Sequence, residues 1–363
     1  MDKMFKRTLL GATVATMLSG AAFSVSAAES ANYEVYGVIA LQAAYRDYDT
    51  GTKAGDDNLG GTQFNNESRI GFRGEKDFKN IDSTFIWQIE AGYVDPSFSD
   101  PGSQWGTRDT FVGFKHDSYG KVRLGRVLSP LYELVDWPAS NPGLGDVYDW
   151  GGAIGGRKHQ DRASNTIRWD TPTFADSLSL NLAYGVAGKD GAQKGEGNDS
   201  WVGAAAHYKL SVFQFDLAYE GNFDVASEGT KWDNDAYLFG VQAWFDNGLS
   251  FYAQYKMMEA KPTTGSKEEQ NAYSAGVAYT TGDWQFKLGY AMNDELEVGG
   301  KTLKGSDDDV LSVQALYFVD PSAVFYARAR TLDFGTSYKN GDNDARWKSA
   351  DYDEFSIGVE YYF

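Results

Sequence analysis

Hydrophobic and polar residues alternate along most of this chain. Near its start Tyr33, Val35, Gly37, Ile39, Leu41, Ala43 and Tyr45 fall on one side of an extended backbone. At its end Phe355, Ile357, Val359, Tyr361 and Phe363 do the same, with Glu354 and Glu360 opposite. A period of two marks a strand with two unlike faces. The same alternation predicts sixteen strands, near 33–46, 65–76, 83–93, 107–115, 121–129, 161–171, 177–187, 200–210, 212–223, 235–245, 249–259, 271–281, 284–293, 308–318, 322–332 and 352–363. Long connections near 47–64, 94–106, 130–160, 188–199, 224–234, 260–270, 294–307 and 333–351 alternate with short turns such as Asp246-Asn-Gly248, Thr281-Gly-Asp283 and Asp320-Pro321. An even strand number, with long connections at one end and short turns at the other, predicts an all-β fold: a 16-stranded antiparallel transmembrane β-barrel. A glutamate turned to lipid would cost several kcal/mol, which fixes the register of the last strand.

Residues 130–162 break the pattern. They are too long and too rich in Pro and Gly for a strand or a single helix, and loops of this length usually carry function. Two Asp-Trp pairs stand in the segment, Asp136-Trp137 and Asp149-Trp150, thirteen residues apart. The segment is expected to fold into the barrel as a constriction loop (130–160), with the Asp-Trp pairs touching a passing solute.

Composition agrees with an exported barrel. Lys3, Lys6 and Arg7 precede the apolar stretch 8–25, and Ser26, Ala27 and Ala28 allow cleavage after Ala27 or Ala28. The expected division is a signal peptide, 1–27, and a barrel, 28–363. No later stretch has 18 successive apolar residues, so no helix is expected to span a membrane. The mean hydropathy of −0.47 suits a barrel in which only every second residue meets lipid. Cysteine is absent, so disulfides do not hold the chain together. Aromatics at 15 %, with 23 Tyr and 22 Phe, fit two girdles, and Trp169 reads as a girdle residue. The formal charge is −18, and removing a leader that carries three cations and Asp2 takes it to about −20, which argues against nucleic acid as a partner. Much of that acid reads as solvated loop surface.

The candidate chemistry is binding rather than catalysis. The three histidines, His116, His159 and His207, stand in no hydrolase or metal-ligand spacing, and there is no thiol. No enzyme activity and no cofactor are expected. An outer-membrane enzyme or adhesin is the competing class, because a triad is recognised by geometry rather than spacing. Parity turns Arg69, Arg73, Glu90, Arg328 and Arg330 into the lumen. The loop supplies the acids Glu133, Asp136, Asp146 and Asp149. A basic wall facing an acidic loop sets up a transverse field that orients polar solutes; the alternative is that these charges keep the lumen wet and hold the loop by ion pairs. Indole covers the C–H face of a sugar while a neighbouring carboxylate accepts from its hydroxyls or acetamide N–H. Trp137 and Trp150 are therefore candidate stacking surfaces, and Trp347 in the last long loop extends the track. The alternative for both loop indoles is anchorage to the barrel wall.

The stretches Ser68-Arg-Ile-Gly-Phe-Arg-Gly, Thr107-Arg-Asp-Thr-Phe-Val-Gly-Phe-Lys, Gly120-Lys-Val-Arg-Leu-Gly-Arg126, Asn165-Thr-Ile-Arg-Trp and the terminal Tyr-Tyr-Phe resemble the general trimeric porins of Gram-negative bacteria, over the whole mature chain. The two Asp-Trp pairs resemble the chitoporin subgroup. The resemblance implies an outer-membrane homotrimer in contact with lipid and lipopolysaccharide. It implies a third loop folded inward and facilitated diffusion of chitooligosaccharides and ions. It also implies a basic wall that includes Arg108 and Arg162, with Glu67, Asn141, Asp161 and Glu360 joining them at the sugar. Arg126 shares parity with Val122 and Leu124 and so points outward, where the resemblance implies an acid of a neighbouring subunit, Asp95 or Asp100, as partner. One departure from the resemblance is visible: Gly143 follows Pro142 where the family carries a Glu. The competing reading within the family is a general-diffusion porin for small hydrophilic solutes with mild cation preference.

Overall fold

A computed structural model describes residues 32–48, 61–92, 105–140, 142–186, 199–227, 229–335 and 351–363. The leader, Asn141, Trp347, Asp95 and Asp100 lie outside the described residues. Sixteen barrel strands follow in order: β1 (Asn32–Tyr48), β2 (Gly61–Asn66, resuming as Arg69–Asp77), β3 (Thr84–Ala91), β4 (Thr110–His116), β5 (Gly120–Leu128), β6 (Arg162–Asp170), β7 (Leu178–Val186), β8 (Ser200–Leu210), β9 (Phe213–Ser227), β10 (Thr230–Trp244), β11 (Leu249–Pro262), β12 (Glu268–Thr281), β13 (Trp284–Asn293), β14 (Asp308–Asp320), β15 (Ala323–Phe334) and β16 (Tyr352–Tyr362). Each pairs antiparallel with its sequence neighbours. β1 closes the ring, matching Leu41 to Val359 of β16, and Ala43 to Phe64 and Val35 to Phe72 of β2.

The alternation read from sequence is the alternation of faces. Phe355 and Ile357 are 56 % and 55 % exposed, whereas Ser356 between them is fully buried. Leu217, Leu288 and Phe325 likewise face outward, where lipid covers them. Short turns close the strand pairs at one end. At Phe245–Leu249 the Gly248 amide donates to the Phe245 carbonyl (3.0 Å), and Gly248 holds φ +86°, a conformation that costs glycine nothing.

Three details depart from the expected elements. The strand near 65–76 is interrupted at Glu67-Ser68, where Ser68 Oγ accepts from the Ala40 amide (3.0 Å) and Asn66 Oδ1 from the Ser68 amide (3.0 Å). Side chains there replace ladder bonds. The connection 294–307 carries a small hairpin, Glu297–Val298 with Lys301–Thr302. At Arg126 a bulge between Gly125 and Val127 shifts the ladder. Its guanidinium is half-buried and bonds within its own chain, to the Thr107 carbonyl (2.7 Å) and Ser164 Oγ (3.4 Å).

The apolar core sits inside the barrel, between the long loop and one side of the wall. Leu131, Leu134, Val135, Ala139, Leu144, Val147, Tyr148 and Ile154 pack on Ala218, Trp232, Ala236, Leu238, Tyr252, Ala272, Ala291 and Leu332. Each such aliphatic side chain contributes about 1.5–3 kcal/mol to keeping the loop on the wall. Small inward residues make the room. At Gly289 a Cβ would stand 2.9 Å from Leu144 Cδ1 and from Pro142 Cδ.

Candidate functional site

The loop begins with a capped turn. α1 (Pro130–Leu134) has Pro at its first position and Ser129 as cap, whose Oγ accepts from the Tyr132 amide (3.1 Å). A second helical turn, Val135–Ala139, is broken at Trp137, whose backbone is extended (φ −143°, ψ 125°). α2 (Gly145–Tyr148) follows, and the chain returns through Gly151–Gly156.

A loop buried inside a barrel must find partners for its backbone. The two limbs solve this in mostly opposite ways, the exception being the Gly155 carbonyl on the return limb, which accepts from Asn234 Nδ2 (2.9 Å). On the outgoing limb the carbonyls accept. Leu134 takes Gln254 Nε2 (2.8 Å), Pro142 takes Ser312 Oγ (2.9 Å) and Gly143 takes Arg330 (3.1 Å). Val147 takes Asn293 Nδ2 (2.8 Å) and Tyr148 takes Lys256 Nζ (2.7 Å). On the return limb the amides donate. Gly152 gives to Asp308 (2.7 Å), Ala153 and Ile154 to Gln270 Oε1 (2.9 and 3.1 Å), and Gly155 to Glu268 (2.7 Å). Arg157 gives to Asn234 (3.2 Å) and Gln160 to Glu220. The partners come from the inward faces of β9 to β15. Each bond contributes roughly 1 kcal/mol net, and more is lost if one side is removed and the other left buried.

The opposite face of the loop is open. Trp137 and Trp150 are each 57 % exposed, and Asp136 is exposed with them. The two Asp-Trp pairs differ, however. Asp149 departs from the expected place beside its indole. It is buried behind the loop, where its Oδ2 accepts from Tyr132 Oη (2.7 Å), and burial pushes its carboxyl up to about 7. Lys158 lies in the same pocket on the carbonyls of Trp150 (2.8 Å) and Gly151, and burial brings its amine down to about 8. Burial also holds the His159 ring well below its ordinary value.

The wall charges are largely paired. Arg46, Arg328 and Arg330 converge on Glu354 (2.8, 3.1 and 2.9 Å), and Arg330 also holds Asp146 (2.8 Å). Glu133 is taken by Arg168 (2.6 Å), Arg108 by Glu90, and Arg162 by Asp109 (2.9 Å) and Asp161 (3.0 Å). Arg73 pairs with Glu34. Glu360 accepts from Tyr362 Oη, and Arg69 lies half-buried on the inner wall. Glu67 and Asp136 are exposed and form no ion pair among the described residues. The expected basic wall is thus present mostly as ion pairs that brace loop and barrel. Gly143 has a physical reason: at φ +118° a Cβ there would stand 2.8 Å from Arg328 Cδ and Nη1. The acid that meets the arginines is Asp146, one helical turn further on.

Sequence reasoning passed over Lys287. Its Nζ lies 5.4 Å from the centroid of the Trp137 ring. The signal was available, because Lys287 is the inward residue between outward Phe286 and Leu288. Tyr132, Lys256 and Lys158, which clamp the back of the loop, carried no such signal.

Comparisons with known proteins agree with this geometry. The Gram-negative porin family matches residues 11–336. The chitoporin of Vibrio furnissii is 36 % identical, over 100 % of both chains. Outer membrane protein S2 of Salmonella typhi is 25 % identical over 81 % of this chain and 74 % of its own. Among solved structures, an anion-selective porin from Comamonas acidovorans superposes with a TM-score of 0.72 at 18 % identity, covering 92 % of this chain and 100 % of that one. The trimer form of OmpT, an outer membrane protein of Vibrio cholerae, superposes with a TM-score of 0.65 at 14 % identity, over 92 % of this chain and 100 % of its own. At those identities the structural likeness speaks for the fold.

Proposed function

We infer a sugar channel from this premise: the chain belongs to the Gram-negative porin family, and it is a passive channel of the outer membrane rather than an enzyme. The solute we propose is a chitooligosaccharide, moving by facilitated diffusion through a homotrimer. The observation that carries the reading is the pair of half-open indoles, Trp137 and Trp150, on a loop whose backbone is tied to the wall along both limbs. Indoles inside a wet lumen are unfavourable unless something covers their faces, and a GlcNAc ring has the C–H face to do so. The full-length similarity to a chitoporin supports the same solute.

In this reading a GlcNAc chain exchanges one stacking surface for the next, and no single site is deep enough to trap it. Asp136, Glu67, Asp161, Arg108, Arg162, Arg328 and Glu360 replace the water lost by hydroxyls and acetamides, since unpaired polar groups are costly. Asn141 and Trp347 join them. Arg126 stands at the trimer interface, and residues 1–27 are the cleaved leader. Asp149 acts from behind, holding the turn that presents Trp150. The test is single-channel current through reconstituted protein. Chitohexaose should give blocks that saturate with concentration, and maltohexaose, which has no acetamide, should block poorly. Equal blocking by both would favour a general-diffusion channel.

A further inference from the structure

We propose that Lys287 makes the Trp137 station selective for N-acetylated sugar units and against the same β-1,4 chain carrying free ammonium groups; this rests on the sugar-channel reading above. On β13 the residues Trp284, Phe286, Leu288 and Tyr290 face outward, and Lys287 and Gly289 face in. Gly289 is where Pro142 and Leu144 press on the wall. Lys287 stands two residues nearer the short-turn end, at the edge of that contact, with its ammonium over the Trp137 ring at 5.4 Å.

The neighbouring strands continue the same row. Lys287 is the cross-strand partner of Gln314, and Gln314 of Arg328. Two cations therefore flank one amide on three adjacent strands. Arg328 reaches Glu354 (3.1 Å), and Glu360 is the carboxylate in electrostatic range of Lys287. Asp136, although next to Trp137 in sequence, has its electrostatic neighbours elsewhere, at Asp149, Asp161 and Arg162. The charge that stands over the indole is thus the Lys287 ammonium, while Arg328 beyond it is already paired with Glu354.

A neutral GlcNAc unit meets no conflict there. Its C–H face covers the part of the indole that the lysine leaves open, and its acetamide carbonyl finds a cationic donor in Lys287. A glucosamine unit brings an ammonium to the same ring, close to Lys287. Like charges at that range repel strongly where water is partly excluded. The electron-rich ring face that would attract a cation is already engaged by the lysine.

The experiment is single-channel blocking at about pH 6, where the free amines are charged, using chitohexaose and its fully deacetylated counterpart. Wild type should bind the deacetylated chain at least about tenfold more weakly. Lys287→Gln, which keeps the polar stem and removes the charge, should close that gap to under about threefold, chiefly by tightening the deacetylated chain. Lys287→Arg should keep the wild-type gap. A lysine that only props the indole would change both sugars alike on Lys287→Gln, and a parallel shift overturns the proposal. So does an unchanged gap, or equal blocking of the wild type by both chains. If chitohexaose does not block the wild type at all, the sugar-channel reading falls and takes this inference with it. If it blocks and only the Lys287→Gln comparison fails, that reading stands and this one does not. If Lys287→Gln does not fold, Lys287→Met is read in its place by the same criteria, a narrowed gap supporting the charge role and a parallel shift or an unchanged gap overturning it.

Discussion

Removing the Trp150 indole tests a solute contact with little effect on the fold, and the reason is visible in how the residue is held. Its amide donates to the Gly145 carbonyl (2.9 Å) and its carbonyl accepts from Lys158 (2.8 Å). Both bonds belong to the backbone and survive Trp150→Ala. The side chain is 57 % exposed, so little packing is lost. What disappears is the open ring face. A pyranose covering roughly 40–60 Å² of it removes apolar surface worth about 1–1.5 kcal/mol at ~25 cal/mol per Å². The stacking surplus adds about 0.5–1.5 kcal/mol. The ring leaves a wider gap that the sugar partly refills with water and with neighbouring contacts, so a net loss of about 1–2.5 kcal/mol is expected, or about 5- to 70-fold in affinity. Titrating chitohexaose onto single trimers in a planar bilayer measures it directly. The current of the empty pore should be unchanged or larger, because a bulky group has left the constriction. Unchanged blocking in both Trp150→Ala and Trp137→Ala, with the trimer folded, would refute the stacking track.

Three further outcomes follow from other parts of the molecule. The open channel should prefer cations in dilute salt, since the mature charge near −20 and exposed Asp136 and Glu67 outweigh arginines already paired; screening should erode the preference above roughly 1 M salt, where the Debye length is about 3 Å, and a reversal potential showing anion preference at low salt would contradict it. Asp149 contributes a pH dependence to loop docking: burial holds its carboxyl above its ordinary value when docked, so its own contribution favours docking in acid and fades as pH rises through the docked value, against the opposite contribution of buried Lys256. The slope is at most about 1.4 kcal/mol per pH unit, levelling off above, and hydrogen exchange of the loop, corrected for intrinsic rates, should follow it in wild type and lose it in Asp149→Asn; identical pH profiles would exclude this role. Gly143→Glu should displace the loop tip, since φ is +118° and Arg328 stands 2.8 Å from the new Cβ; the strain is of order 1–3 kcal/mol, and an unchanged conductance and chitohexaose affinity would show that the tip tolerates it.

The strands were legible because lipid and lumen impose opposite demands on adjacent residues. Phe355, Ser356 and Ile357 record that demand directly. The break at Glu67-Ser68 was not legible, because side-chain oxygens there stand in for ladder bonds without disturbing the alternation. The hairpin at 297–302 is too short to have a period. In the loop, the open indoles were readable from the Asp-Trp pairs, and Asp136 is exposed beside Trp137, but the burial of Asp149 was not readable. Successive residues of a helical turn are rotated by roughly 100°, so an acid and the tryptophan after it can point to different sides. Asp149 follows α2 and turns back to Tyr132. Adjacency in sequence suggested a shared site where local conformation separates Asp149 from Trp150.

The divided bonding of the loop has a consequence for how the channel comes into being. Its carbonyls and amides find partners 60 to 187 residues further along the chain, from Glu220 for Gln160 to Arg330 for Gly143. Neighbouring hairpins join residues only a few apart, whereas contacts of such separation form late because long stretches of chain must first be ordered. The constriction therefore matures later than the hairpins of the wall, whereas closure of the ring spans longer separations still, as in Leu41 to Val359. Before β15 is in place the loop lacks Arg330, and before β14 it lacks both Ser312 and Asp308. In refolding, β-sheet signal should rise ahead of the docking of residues 130–160. Loss of an inward side chain on a late strand, such as Ser312 or Arg330, then leaves the ladder intact and the loop unheld, so that errors in residues far along the chain are expressed first as a loss of selectivity.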